Sequence, residues 1–511
     1  MASDARRGPS ASTKSWVLAA TILGSSMAFI DGSVVNVALP AIQSSFAASV
    51  SGAQWVVNGY MLVLGALILI GGSAGDLFGR RRVFVIGTVV FVVASVACGL
   101  APTLSVLIGA RAIQGLGGAL LVPGSLAIIN DVFDSSERGH AIGTWAGFSA
   151  LSVALGPAIG GALVDTVSWR AVFFINVPLA AITLAIALRH VPKSRDQEST
   201  SIDWLGGALA VIGLGAITYG LTAAVERSWS DPLVLGATVG GALVIALFVM
   251  FEGRTSSPMM PLTLFQSRAF SATNAMTVFL YAGLSGAFFF LPFTLIDLHG
   301  YSALEAGAAF LPSTLLMGGL SGWSGGLADR YGPRLPLIVG PIIASVGFAL
   351  LALPGTGGSY WSTFFPAMLV LGFGIAISVA PLTTTVMGAV ERRHSGTASG
   401  INNAASRVAG LLAVALLGSV AVGAFGRAVN SRVAAASVSA DVRRALAAEI
   451  PKLAAARVPQ AVTGDARQSL QLILDESFLH SFRIVLLISA GLALCSGLCA
   501  AVMLKNAGRG S

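Results

Sequence analysis

The sequence predicts an all-α integral membrane protein, and three observations lead there: composition, the length of the apolar blocks, and the placement of the basic residues. Of 511 residues, 55% are hydrophobic, only 10% are charged and 61 are glycine, a balance that no ordinary soluble class shows. The apolar residues come in blocks of about 20 to 28, each matching the roughly 20 residues that a helix needs to cross a ~30 Å hydrocarbon layer. Strand-like alternation is missing, and unpaired backbone groups are prohibitive in lipid, so a helical bundle is the architecture left.

Taken in order, the expected spans are 16–40, 53–74, 83–101, 104–128, 140–164 and 171–188, then 204–224 and 233–251, then 269–296, 304–327, 335–353, 361–388, 397–424 and 480–503. The first follows the polar lead MASDARRGPSASTKS; its apolar run is too long for a signal-peptide core and ends in no clear cleavage site, so it is expected to stay. Arg80, Arg81 and Arg82 part the second and third spans, and Arg138 the fourth and fifth. Arg189, Lys193 and Arg195 separate the sixth from the seventh, and Arg254 and Arg268 the eighth from the ninth. Arg330 and Arg334 part the tenth and eleventh, Arg392 and Arg393 the twelfth and thirteenth, and Lys505 and Arg509 close the fourteenth. With Arg6, Arg7 and Lys14 these eighteen cations fall on one side, whereas the short loops opposite hold only Arg170 and Arg227. The positive-inside rule makes the richer side cytoplasmic, with both termini there, and a miscounted central span would scramble the asymmetry. Residues 425–479 form a long outer segment, rich in alanine and expected to lie on the membrane surface as amphipathic helices broken at Pro451.

The net charge of +8 would suit a nucleic-acid partner only if the cations clustered on one accessible face, which they do not. No nucleic acid is therefore expected. Cys98, Cys495 and Cys499 lie in apolar blocks and read as small buried hydrophobes rather than disulfide partners or metal ligands. The five histidines are scattered at span ends, and neither a GxxxxGK[ST] loop nor a zinc spacing occurs. The expectation is a non-enzyme without metal or cofactor and without an ATP-binding loop.

An internal repeat organises the chain. GGSAGDLFGRRRV (Gly71 to Val83) returns as GGLADRYGPRLPL (Gly325 to Leu337), with Asp76 over Asp329, Gly79 over Gly332, and an offset of 253 residues. Pro123 with Glu137, Arg138 and Gly139 returns as Pro381 with Glu391, Arg392, Arg393 and Gly396. Both signals follow the second and fourth helices of a six-helix unit, and the two spare spans fall between the copies. The division read from this is 1–190 for the first six-helix bundle, 191–267 for two linker helices, and 268–511 for the second bundle.

Two parallel six-helix halves are the plan of the major facilitator superfamily, and GGSAGDLFGRRRV strongly resembles its signature loop. AFIDGSVVNVALP (Ala28 to Pro40), LIGARAIQGLGGALLVPGS (Leu107 to Ser125), LGPAIGGALVD (Leu155 to Asp165) and WRAVFFINVP (Trp169 to Pro178) look like the fourteen-helix drug:proton antiporter branch. The resemblance covers nearly the whole chain. It implies two bundles rocking about a central site, with two extra helices between them, and a function in expelling small amphipathic or cationic compounds against protons.

Of 22 acidic residues, only Asp31 falls well inside a span. A carboxylate there costs roughly 2.5 kcal/mol or more to insert, so it is a functional candidate by default. The resemblance places it on the central cavity, alternating between proton and cargo. Arg111, about seven residues into the fourth span, is the basic counterpart, with Gln114 one turn on along the same face. The family associates this arginine with proton transfer. Asn36, Tyr60, Asn403 and Arg407 are further cavity candidates, Arg407 being placed near the inner end of the thirteenth span.

In the signature loop, Gly72, Gly75 and Gly79 are expected to permit close backbone approach, while Asp76, Arg80 and Arg81 gate the inner face. Asp329, Arg330 and Gly332 form a weaker copy, because Pro333 and Pro336 intrude. In LGPAIGGALVD the small residues Gly156, Gly160 and Gly161 permit tight helix contact and Pro157 bends the span; the family calls this its antiporter motif. One mid-membrane acid predicts one-for-one exchange, electroneutral for a monovalent cation. A monomer is expected, whose partners are small substrates, protons and the lipid bilayer. The competing readings are an exporter dedicated to one endogenous compound and a non-transporting receptor or scaffold acting through 425–479.

Overall fold

The computed structural model describes residues 11–194, 201–391, 395–436 and 438–504, and no strand occurs among them. The first half holds α1 (Ala11–Ser45), α2 (Val50–Phe78), α3 (Arg80–Gly99), α4 (Leu104–Val132), α5 (Ser135–Thr166), α6 (Ala171–Phe174) and α7 (Asn176–His190). Two helices follow, α8 (Trp204–Ala223) and α9 (Pro232–Glu252). The second half holds α10 (Arg268–Phe293), α11 (Ala303–Ala308), α12 (Leu311–Gly319), α13 (Ser321–Tyr331), α14 (Arg334–Leu351), α15 (Tyr360–Gly388), α16 (Ser395–Ala435), α17 (Ala440–Glu449) and α18 (Gly464–Met503).

Local chemistry sets many of the ends. Ser49 and Thr103 accept from backbone N–H groups three residues on, capping α2 and α4. Gly79 adopts φ 100°, a conformation that costs glycine nothing, and so turns α2 directly into α3. Ser302 and Glu305 cap α11 reciprocally.

Thirteen helical segments among the described residues are long and apolar enough to cross a membrane. The exception is the expected span 304–327, which is broken into α11, α12 and α13. Pro312 and the glycines at 318, 319, 322, 325 and 326 weaken a continuous helix there. The chain still travels lengthwise along α5, because Gly161 meets Ala303, Pro157 meets Gly307, and Gly318 faces Ala150. Residues 303–318 therefore run antiparallel to α5, from the far end toward the end that carries the termini.

The outer segment also differs from expectation. α16 and α18 run for 41 and 40 residues, about 60 Å each at 1.5 Å per residue, so both project beyond the bundle. Their alanine-rich extensions favour helix over a free loop. α17 and the turn after it pack onto protein rather than lying free, with Leu446 and Leu453 buried and Gln43 donating to the Lys452 carbonyl at 3.1 Å. Of the cysteines, Cys98 is buried, whereas Cys495 is exposed and Cys499 intermediate, which corrects the expectation of three buried thiols.

Core packing differs between the two ends. At the far end one buried cluster joins Val34, Leu39, Ile42 and Val57 of the first half to Leu280, Phe289, Phe290 and Phe310 of the second. At the terminal end the clusters are separate, around Val17, Phe84 and Val132 in one half and Met276, Leu337 and Ala500 in the other. Contact between halves persists there along α2 and α16, where Leu69 meets Gly400. The bundle is closed at the far end and parted at the terminal end.

Candidate functional site

Asp31 and Arg111 meet in the centre of the first half. α1 carries the acid and α4 the arginine, and both side chains are buried, 0% and 1% exposed. They form an ion pair through the Arg111 guanidinium and the Asp31 carboxylate. Gln114 donates to the other Asp31 oxygen at 2.7 Å and accepts from Arg111 at 2.7 Å. Arg111 Nε also donates to the Val56 carbonyl of α2 at 3.0 Å. Its guanidinium lies 4.3 Å from the Tyr60 ring centroid, a cation–π contact that carries weight where water is excluded.

The network extends to residues that sequence reasoning passed over. Gln114 also donates to Ser95 at 3.2 Å, Asn176 donates to Ser95 at 2.9 Å, and Ser95 donates to the Phe173 carbonyl at 2.8 Å. Asn176 is an amide in the apolar run of WRAVFFINVP, and that contrast was the available signal. Because every charge has an opposite partner and hydrogen bonds, this buried pair escapes the penalty of an isolated ion. Its removal of Asp31 from solvent corrects the expectation of an acid lining the cavity. The α1 face one residue on is open: nothing lies within 4 Å of a Cβ built on Gly32, and Asn36 one turn later is half-buried. Tyr60 is 1% exposed and donates to the Ala28 carbonyl at 3.3 Å, so it walls the charge pair rather than the cavity.

The second half carries a different set. Asn402 of α16 donates to Thr277 at 2.7 Å and to Asn274 at 3.2 Å on α10, a neutral amide cluster. Arg407 and Asn403 are half-buried on the neighbouring face of α16. Arg407 lies opposite Gly65, where a Cβ would come 3.1 Å from the arginine's own. Gly65 is central in the 29-residue α2, which moves Arg407 from the expected inner end of its span to mid-membrane.

The signature loop ties α2 and α3 to their own half. Arg80 pairs with Asp76 at 3.0 Å and with Asp131 of α4 at 2.9 Å, and Arg81 donates to the Leu188 carbonyl of α7. These contacts stay within the first half while the terminal end is parted. Close approach is made by Gly71, where a Cβ would lie 1.9 Å from the Ala119 carbonyl, rather than by Gly72 or Gly75, which have 3.8 Å or more. In the copy, Gly332 has φ 76° and Arg330 is exposed, 5.3 Å from the Tyr331 ring; the Asp329 side chain lies outside the described residues, as do Arg392 and Arg393.

LGPAIGGALVD serves two contacts. Gly156 and Gly160 pack on Ser33 and Val34 of α1. Gly161 and the Pro157 carbonyl face the other half, where a Cβ on Gly161 would lie 2.1 Å from the Ala303 carbonyl and one on Gly307 2.0 Å from that of Pro157. Asp165, at the end of the motif, accepts from the N–H groups of Ala303 and Leu304 at 3.0 and 2.7 Å, so a carboxylate caps the first turn of α11 across the interface.

A family model described as Major Facilitator Superfamily matches residues 21–414. "Multidrug resistance protein Stp" of Mycobacterium tuberculosis is 34% identical over 409 residues, 80% of this chain and 76% of that protein. "Puromycin resistance protein pur8" of Streptomyces alboniger is 36% identical over 417 residues, covering 80% and 82%. Among solved structures, a bacterial homologue of the human lysosomal transporter Spinster, in an inward-facing and unoccupied conformation, matches with a TM-score of 0.68 at 18% identity over 97% of this chain and 99% of that one.

Proposed function

The chain belongs to the Major Facilitator Superfamily and is a multi-pass membrane efflux transporter of small molecules, and on that premise we propose that it exchanges protons for cargo, with Asp31 as the proton carrier. The observation that carries this reading is the sealed Asp31–Arg111 pair. The eighteen cations on the terminal side support cytoplasmic termini, and on that reading the parted terminal end corresponds to an inward-open state in the bacterial cytoplasmic membrane. Residues 1–190 and 268–511 act as the two rocking bodies.

In that state an exporter loads cargo and has already released its proton inward. A carboxylate whose oxygens are taken by Arg111 and Gln114 fits that stage. The competitor of the proton is then Arg111 rather than the cargo, which revises the expectation of direct exchange on one acid. When the far end opens, a proton arriving on Asp31 releases the guanidinium and changes the packing among α1, α2 and α4.

Proteoliposomes test this with any fluorescent drug that the native protein exports. Asp31→Asn is expected to abolish transport driven by an imposed pH gradient while leaving cargo-for-cargo exchange at equal pH. Gradient-driven transport at the native rate in Asp31→Asn would remove the acid from the coupling. A second reading, an exporter dedicated to one antibiotic, draws support from the relative named for puromycin resistance; a broad drug panel separates the two.

A further inference from the structure

We infer that Arg407 is a recognition group of the transport cavity, and that the cargo it receives carries an anionic group such as a carboxylate or phenolate on an apolar frame. The inference rests on the efflux reading and names its substrate class. Among the described residues three charged side chains stand mid-membrane: Asp31, Arg111 and Arg407. The first two neutralise each other with no exposed surface to spare. Arg407 makes no hydrogen bond and no ion pair among the described residues, although it is half-buried opposite the middle of α2.

An unpaired guanidinium at that depth is costly to place, and its five donors have a fixed geometry suited to a bidentate acceptor. It lies too far along α2 to reach the headgroups as a side chain near a helix end does. Asn403, polar and uncharged, stands one turn away on the same face of α16. With Asp31 sealed against Arg111, the charge left without a counter-ion at mid-membrane is that of the half-buried Arg407. A cationic cargo meets repulsion there and no carboxylate, which turns the substrate class away from the cations that a lone mid-span acid suggested. The exchange of one proton for one anion is also electrogenic, where the cation scheme was neutral.

Binding to the purified native protein tests this without any proton gradient. Fluorescein and rhodamine 123 share a three-ring frame and differ in charge, and the polarisation of each dye reports its binding. The native protein is expected to hold fluorescein at least about tenfold more tightly than rhodamine 123, the size of one lost charged hydrogen bond. Arg407→Gln should erase that preference, and Arg407→Lys, which keeps the charge and controls for folding, should retain part of it. Tighter binding of rhodamine 123, or native and Arg407→Gln proteins that treat the two dyes alike, would overturn the assignment. Such a failure leaves proton coupling through Asp31 standing, and loss of coupling in Asp31→Asn leaves the anion preference measurable.

Discussion

The first half of the molecule buries an acid and a base together, whereas the second half holds one base at mid-membrane, Arg407, and leaves it unpaired among the described residues. Asp31 and Arg111 satisfy each other among Gln114, Ser95 and Asn176. In the second half the amide cluster of Asn274, Thr277 and Asn402 is neutral, and Arg407 beside it faces no acid. The repeat that relates the two signature loops does not relate these sites. One architecture therefore supports two uses of buried charge: a sealed pair that changes partner with protonation, and an open cation that waits for a ligand.

The sharpest way to break that comparison is to truncate each arginine. Arg111→Ala leaves Asp31 buried without its counter-ion and should destabilise the protein by roughly 3–5 kcal/mol. Arg407→Ala should leave stability unchanged or raise it, because it removes a cation that has no partner and is costly to hold at that depth. Unfolding of the purified variants in detergent reads both, and equal losses would show that Arg407 is as well satisfied as Arg111.

A smaller effect is expected where the halves touch. Gly161→Val places a side chain against the Ala303 carbonyl, and overpacking of this kind costs about 1–3 kcal/mol. The closed far end alone bears that cost, so spin labels on the exposed Val167 and Leu304 should separate while the fold is kept. An unchanged distance would mean that α5 and α11 can seal elsewhere.

The smallest difference lies between the two signature loops. Arg80→Ala removes ion pairs to Asp76 and Asp131 that are partly exposed, each worth up to about 1 kcal/mol. Arg330→Ala removes an exposed cation resting on Tyr331 and should leave export near the native rate. Export assays that rank the two in the opposite order would assign the gate to the second copy.

Much of this was legible before any coordinates. Apolar block length fixed the helical membrane class, and thirteen of the expected spans are long helices in the structure. The tenth was misjudged as continuous because hydropathy counts apolar residues and overlooks how glycine and proline break them into α11, α12 and α13. Asp31, Arg111 and Gln114 stood out as polar residues in apolar runs. Asp165 did not, since an acid at a span end looks solvated until the N-terminus of α11 is found against it.

By itself the sequence determined the class, the order of the spans and which side chains were costly to place in lipid, because each follows from neighbours along the chain. Tertiary structure alone decided that Asp31 is sealed, that Tyr60 shields it, and that Arg407 is open and opposite Gly65. The physical reason is rotational: each residue turns a helix by about 100°, so whether a polar group meets a partner, a cavity or lipid depends on the phase and depth of neighbouring helices, which no single span encodes.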